Sequence, residues 1–426
     1  METLQEIAVK KFDVNWWDNF LETTQDQTKT AVFKDCMDKE ETLLLRGYVL
    51  DILKELAKLR TIKFGFRAYI DGKILNLDEM NYIYDSPPLE NEDLETWSQR
   101  VFGEKKFGMI INLGEKFNLH LSKIIAQKIE HLFEKVGFPR DGVNFTLFIG
   151  NYDKTPLGIH KDPTGQNVIH FHLGPGGKTM YTWSNELYEE LLGKGYKRED
   201  VEDLLPYATE FAFEEGDVYF MPEGEYHIGK QDGLSMAVTV WQYNLTKEKL
   251  AKKLHKVIQR QFLQKDDRIL IPDRSPLDNA DRVADILEAF TIPAELYNLS
   301  YMELMREAYR DLRYAVGSNG GYRTSPFAKS EQPAFQLDDT IALEVPFKIL
   351  YRNSDYYPGK LQIYVRGVKF EFNDFASIRT LIDKLNEGEE ITVSELLSYL
   401  DKSWDPRVGL YILQMIYGAH GIRKVN

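Results

Sequence analysis

Four of the eight histidines in this 426-residue chain fall between positions 160 and 227, and two of them stand where a metal could be held. His160-Lys161-Asp162 sets an imidazole and a carboxylate two residues apart, so at a strand end both side chains face the same side. His227, 65 residues beyond Asp162, can bring a third ligand from a distant strand. Two neutral nitrogens and one carboxylate make one face of an octahedron. That set suits Fe(II) and leaves three positions for a bidentate co-substrate and dioxygen. His170 and His172 are a second candidate: two rings on one face of a strand that either ligate, line a pocket or pack in the core.

These residues need strands to position them. From about 143 to 244 the chain consists of short apolar runs broken by Gly, Pro, Asp and Asn, such as Val168-Ile-His-Phe-His-Leu and Ser235-Met-Ala-Val-Thr-Val-Trp. That texture predicts a β-sandwich or barrel. A helical insertion over about 185–206 interrupts it, either as a surface excursion or as part of a substrate entrance. Before the strands, the pattern predicts a helix over Glu40 to Leu59, a hairpin turning at Asp71-Gly72, and a helix over about 117–136 ending at Gly137. After Asn244 helices return: Leu250, Leu254 and Val257 form one stripe, and helical patterning resumes near 279–314. The loop Gly317 to Pro326 is the best domain boundary by composition. A hairpin around Gly367 follows. Helices are then predicted at 375–386, at 393–400 with a Thr392/Glu395 capping box, and at 406–417 with Pro406 in the first turn and Gly418 past the end.

Composition narrows the function classes. Lys and Arg number 53 against 67 Asp and Glu, a net charge of −14, which argues against a protein that coats nucleic acid. The same surplus permits a basic peptide or protein substrate. The one cysteine, Cys36, excludes an intramolecular disulfide and a Cys-based zinc cluster, and fits a reducing cytoplasmic setting. No signal peptide is visible, and no run of about 18 apolar residues suits a membrane span.

With these blocks in view, the sequence resembles the JmjC and cupin-like hydroxylases, which are Fe(II)- and 2-oxoglutarate-dependent oxygenases. His160-Lys-Asp162 is similar to the family's His-x-Asp. Gly177-Lys178-Thr-Met-Tyr-Thr-Trp183 is similar to the strand whose lysine anchors the distal carboxylate of 2-oxoglutarate. Gly216-Asp217-Val-Tyr-Phe-Met-Pro222, His227 and Ser235 to Trp241 follow in the family's order. The resemblance implies that His160, Asp162 and His227 hold iron. It implies that Lys178, Asn167 and Thr239 line the co-substrate pocket, with Tyr181 and Trp241 facing inward. A buried Lys178 without that anion would be costly. The family often carries Thr three positions before the first metal histidine. Leu157 stands there, with Thr155 two further back, so the second carboxylate contact is open and Tyr152 is a substitute. A cupin-type site on His170 and His172 would expect a Glu soon after, where Leu-Gly-Pro-Gly-Gly-Lys stands instead.

The implied fold is α+β: a double-stranded β-helix (jelly-roll, cupin-like) with N-terminal helices over 1–244, a helical segment over 245–335, and a small winged-helix-like module over 345–426. Ribosomal oxygenases follow that layout, and their helical segment dimerises, so a homodimer is compatible with it. The implied activity is hydroxylation of a peptide or protein side chain, with O2 consumed and 2-oxoglutarate converted to succinate and CO2. Two alternatives stand beside it: a hydroxylase of a free amino acid or small metabolite, and a cupin-like peptide-binding protein without turnover.

Overall fold

The structure, a computed structural model, describes residues 11–155, 157–197, 200–329 and 334–425. The first 243 residues carry β1 (Ala31–Phe33), β2 (Arg67–Ile70), β3 (Lys73–Ile74), β4 (Phe107–Ile111), β5 (Val143–Gly150), β6 (His160–Lys161), β7 (Gln166–Pro175), β8 (Lys178–Trp183), β9 (Thr209–Phe213), β10 (Val218–Met221), β11 (Tyr226–Gln231) and β12 (Ser235–Tyr243). They form an eight-stranded sheet, β1-β10-β7-β12-β5-β4-β2-β3, and a four-stranded sheet, β6-β11-β8-β9, with antiparallel pairing within both. From β5 to β12 the chain passes repeatedly between the two sheets, and His170 of β7 meets Phe213 of β9 edge-to-face across the gap.

Strand parity divides the larger sheet into two faces. Odd residues of β5 and β7 (Phe145, Leu147, Ile149, Ile169, Phe171) and even residues of β12 (Val238, Val240) join one core with Leu45, Val49, Leu53, Ile125 and Ile129 of two covering helices. Those helices are Lys39–Leu59, capped by Asp38 accepting from the Glu41 amide, and Leu119–Val136, which ends on Gly137 at φ 80°. The hairpin β2–β3 turns at Asp71 and Gly72, both at positive φ, as the dipeptide predicts. Even residues of β5 and β7 and odd residues of β12 face the smaller sheet. The insertion forms helices Asn185–Gly193 and Val201–Leu204. It packs Tyr188, Leu191 and Leu204 on Ile159, Trp183 and Ile228, so it covers the outside of the smaller sheet.

Beyond Tyr243, helices Lys247–Phe262 and Tyr301–Ser318 meet through Leu250, Leu254 and Ala308, while Val257 of the predicted stripe remains partly exposed. The C-terminal module has its own core. It holds β13 (Thr340–Leu343), β14 (Leu350–Asn353), β15 (Lys360–Val365), β16 (Val368–Asn373), β17 (Ile391–Thr392) and β18 (Ile422–Lys424), with helices Ala376–Asn386, Val393–Leu397 and Pro406–Gly418. Thr392 caps its helix, as expected, by accepting from the Glu395 amide. Gly418 lies inside the last helix, and the left-handed residue after it is His420. No helix among the described residues is long and apolar enough to cross a membrane.

The loop 317–326 is packed against the core of the strand-rich part. Tyr322 is fully buried, its hydroxyl donates to the Ser122 carbonyl at 2.8 Å, and Gly321 and Arg323 bond the backbone of Val143 at the start of β5. Its glycines serve tight packing: a Cβ on Gly321 would meet the Phe133 ring at 2.8 Å. Tyr322→Ala is therefore expected to cost about 3–5 kcal/mol, as for other buried aromatic truncations, read as a lower midpoint in chemical denaturation.

Candidate metal centre

The two-residue strand β6 exists because it pairs with β11, and the pair in register there is His160 with His227. Their ring centroids lie 4.4 Å apart, and Asp162, just after β6, brings Oδ2 to 3.8 Å from His227 Nε2. One ligand atom from each of the three falls within 4.8 Å of the others, and this is the group of that kind among the described residues. Local hydrogen bonds set the tautomers. A carbonyl can only accept, so His160 Nδ1 donates to Gly158 O at 2.8 Å and His227 Nδ1 donates to Glu225 O at 3.1 Å. Nε2 is thereby the lone-pair nitrogen of each neutral ring, as a metal requires. Burial pushes His227 down to about 4 and raises Asp162 to about 6, the nearby His160 opposing the latter. At neutral pH the His227 ring is uncharged and the carboxylate is mainly ionised. Asp162 Oδ2 is buried without a hydrogen-bond partner, an orphan that a cation would satisfy.

The three residues open onto a cavity of about 630 Å³ between the sheets. Its wall follows from register. On the larger sheet, Thr146, Thr239, His170 and Tyr219 lie in one cross-strand row, and Asn144, Trp241, Val168 and Met221 in the next. On the smaller sheet, Gly229 pairs with Met180, and Lys178 lies two residues before Met180 on the same face. Lys178 is buried over the Phe148 ring, 5.4 Å from its centroid, and burial alone lowers its ammonium to about 8. Gly229 makes room for it, since a Cβ there would meet Lys178 Cε at 2.9 Å. Tyr152 also lines the cavity. Its ring sits on Gly108, where a Cβ would meet Cδ1 at 2.7 Å, and burial pushes the hydroxyl up to about 12.

Thr239 and Trp241 line the cavity as expected, and Leu157 stands at its rim. Asn167 and Tyr181 do not line it. Each is one residue out of phase with its inward neighbours, Val168 and Met180. Asn167 accepts from the Glu223 amide at 3.0 Å, and Tyr181 packs with the insertion on the outer side. His170 and His172 form a chain of hydrogen bonds away from the metal ligands. His172 Nε2 donates to Gly176 O at 2.8 Å, so its Nδ1 accepts from His170 Nε2 at 3.4 Å and His170 Nδ1 accepts from Thr239 Oγ1 at 2.8 Å. Burial first, and then the Lys178 charge, keep His170 neutral. All four nitrogens are engaged, which leaves no pair for a cupin-type site. Sequence reasoning missed Arg67, Phe148, Tyr219 and Gly229; strand parity counted outward from Thr239 and Lys178 is the signal that reaches the last three.

No family model and no curated protein matches the chain. Among solved structures it is similar to YcfD, a ribosomal oxygenase from Escherichia coli, at 16% identity over 96% of this chain and 98% of that one, with a TM-score of 0.48. The complex of YcfD with cobalt and 2-oxoglutarate covers the same shares at 15% identity and a TM-score of 0.49. SnoK, a non-heme alpha-ketoglutarate-dependent carbocyclase from nogalamycin biosynthesis, matches 53% of this chain and 83% of its own at 13% identity, with a TM-score of 0.32.

Co(II) titration followed in the visible region tests the centre. Asp162→Ala and His227→Ala are expected to weaken binding by more than the about 10- to 100-fold typical of changes behind the ligands. His172→Ala should stay within that range.

Proposed function

We propose that the chain is an Fe(II)- and 2-oxoglutarate-dependent oxygenase on a double-stranded β-helix, hydroxylating a side chain of a peptide or protein. The observation that carries this is the cavity itself: a His-Asp-His cluster at one place on its wall and, deeper, a buried lysine with no carboxylate beside it among the described residues. His160, Asp162 and His227 hold the iron. When bound, iron and 2-oxoglutarate supply oxidation of a C–H bond by O2, with succinate and CO2 as the co-products. Lys178 pairs with the distal carboxylate of 2-oxoglutarate, and Tyr152, kept protonated by burial, donates to the same group. Thr239 is a weaker donor candidate because its hydroxyl hydrogen is directed to His170. The apolar wall of Phe148, Val168, Met180 and Met221 excludes water from the reacting region. We read residues 1–244 as the catalytic unit, 245–335 as a helical segment suited to self-association, and 345–426 as a winged-helix-like module contacting protein.

Anaerobic addition of Fe(II) and 2-oxoglutarate should produce a weak visible charge-transfer band, and admission of O2 should convert 2-oxoglutarate to succinate. Absence of both would overturn the proposal. Lys178→Met should leave metal binding intact and raise the dissociation constant for 2-oxoglutarate about 10- to 100-fold, the loss of a hydrogen bond to a charged group.

Burial holds Lys178 near 8 before the anion binds, and the anion favours the charged form. Proton uptake therefore accompanies binding above that pH and not below it. Affinity measured by anaerobic titration should be flat below about pH 7 and fall about tenfold per unit above about pH 8. The slope should vanish in Lys178→Met.

A further inference from the structure

The cavity carries more positive charge than the proposed cofactors use. Lys63, Arg67, Lys178 and Asp162 are the lysines, arginines and carboxylates among its lining residues. Within the proposed function, iron and the 2-oxoglutarate dianion cancel each other's charge, and Asp162 offsets Lys178. The charges of Lys63 and Arg67 remain.

Arg67 is placed by register. It pairs with Ile110 of β4, which pairs with Phe148 of β5, so the three side chains share the cavity face of the larger sheet. Its Nε is buried and has no hydrogen-bond partner. A guanidinium carries five donors that cannot be relieved by deprotonation, so an acceptor is missing. The loop before Arg67 contributes Lys63, Phe64 and Gly65 to the cavity lining. Phe64 packs edge-on to Phe117 and Phe327 at 5.2 and 5.3 Å, and Gly65, at φ 70°, lies so close to the Asn112 amide that a side chain there would collide with it. Lys63 stands exposed on the rim of that loop, and Asn112 and Asn144 line the same region.

We infer that Arg67, assisted by Lys63, is a substrate-reading site for a carboxylate, so that the substrate of this oxygenase carries an acidic group. The inference rests on the oxygenase reading for what happens to the substrate, but not for its binding. Arg67 is a specificity residue: its planar fork matches a carboxylate in two parallel hydrogen bonds, while Lys63 adds charge at the entrance. A basic peptide, which the acidic chain as a whole would attract, meets like charge here. Two sources offer the same chemistry, an Asp or Glu side chain in a peptide and a free carboxylic acid.

The test uses the full chain loaded with Mn(II) and 2-oxoglutarate. The probes are N-acetylated, C-amidated heptapeptides identical except for a central Glu, Gln or Arg, and N-acetylglutamate as the free acid. Paramagnetic relaxation of probe protons by Mn(II) reports binding close to the metal. The Glu peptide or N-acetylglutamate is expected to bind at least about tenfold more tightly than the Gln peptide, a difference of one charge-assisted contact. Arg67→Gln should remove that preference while 2-oxoglutarate affinity and Mn(II) retention stay unchanged. Lys63→Gln, at an exposed position, should reduce it partly. Preference for N-acetylglutamate over the Glu peptide would assign a small acid, and the reverse a peptide side chain. Equal binding of the Glu and Gln probes, tighter binding of the Arg peptide, or unaltered selectivity in Arg67→Gln would overturn the inference. Loss of Mn(II) from the unmodified chain would instead count against the oxygenase reading. In that event anisotropy with fluorescein-labelled forms of the same peptides reads the carboxylate preference without the metal.

Discussion

A sheet buried on both faces must cover one with apolar contacts and give the other a purpose. In the larger sheet one face of β5, β7 and β12 lays Phe145, Leu147, Ile149, Ile169, Phe171, Val238 and Val240 under the helices, whereas the other face includes Asn144, Thr146, His170 and Thr239. Buried polar rows weaken a core unless they are satisfied. Here satisfaction is partial. Thr239, His170, His172 and the Gly176 carbonyl close one chain of hydrogen bonds, but the Tyr219 hydroxyl and Trp241 Nε1 remain without protein partners beside the same cavity. The fold depends on the apolar face for its stability and keeps the polar face for a ligand.

Electrostatics point the same way. Taking Lys178 out of water disfavours its charge, and no side chain compensates. Elsewhere the protein handles a buried lysine differently: Lys128, fully buried in the helical core, is paired with Glu41. The contrast between these two lysines separates structure from function. One charge is neutralised within the fold, and the other is buried without a carboxylate partner among the described residues. Gly229 makes room for Lys178, and the cross-strand pair His160–His227 places the two rings on the wall of the same cavity.

The clustering of His160, Asp162 and His227 and the burial of Lys178 were legible because the signal is local: residue type, a spacing of two, and a strand. What escaped was phase. Tyr181 and Asn167 were expected to face inward, yet a strand reverses its facing at every residue, and each is out of step with the neighbours that line the cavity. The Gly, Ser, Asn and Pro content of 317–326 marks a domain boundary but gives no sign of its packing. Its glycines instead let Tyr322 pass close to the helix Leu119–Val136, a long-range contact that composition does not encode. Arg67 was invisible for the same reason, since its place in the cavity depends on β2 joining a sheet whose other members lie far along the chain.

Net charge is the coarsest of these signals, and the cavity limits what it means. A surplus of fourteen acidic groups describes a surface, and charges separated by more than about 8 Å in physiological salt are largely screened from one another. Inside a cleft with apolar walls, field lines are focused and a few nearby charges dominate. Lys63, Arg67 and Lys178 lie in that cleft with one opposing carboxylate, so the local sign is opposite to the global one. An anion entering the cleft would meet a positive field last, whatever the overall charge of the chain. The surface charge governs solubility and distant encounters, while the register of a few strands governs what is admitted to the metal.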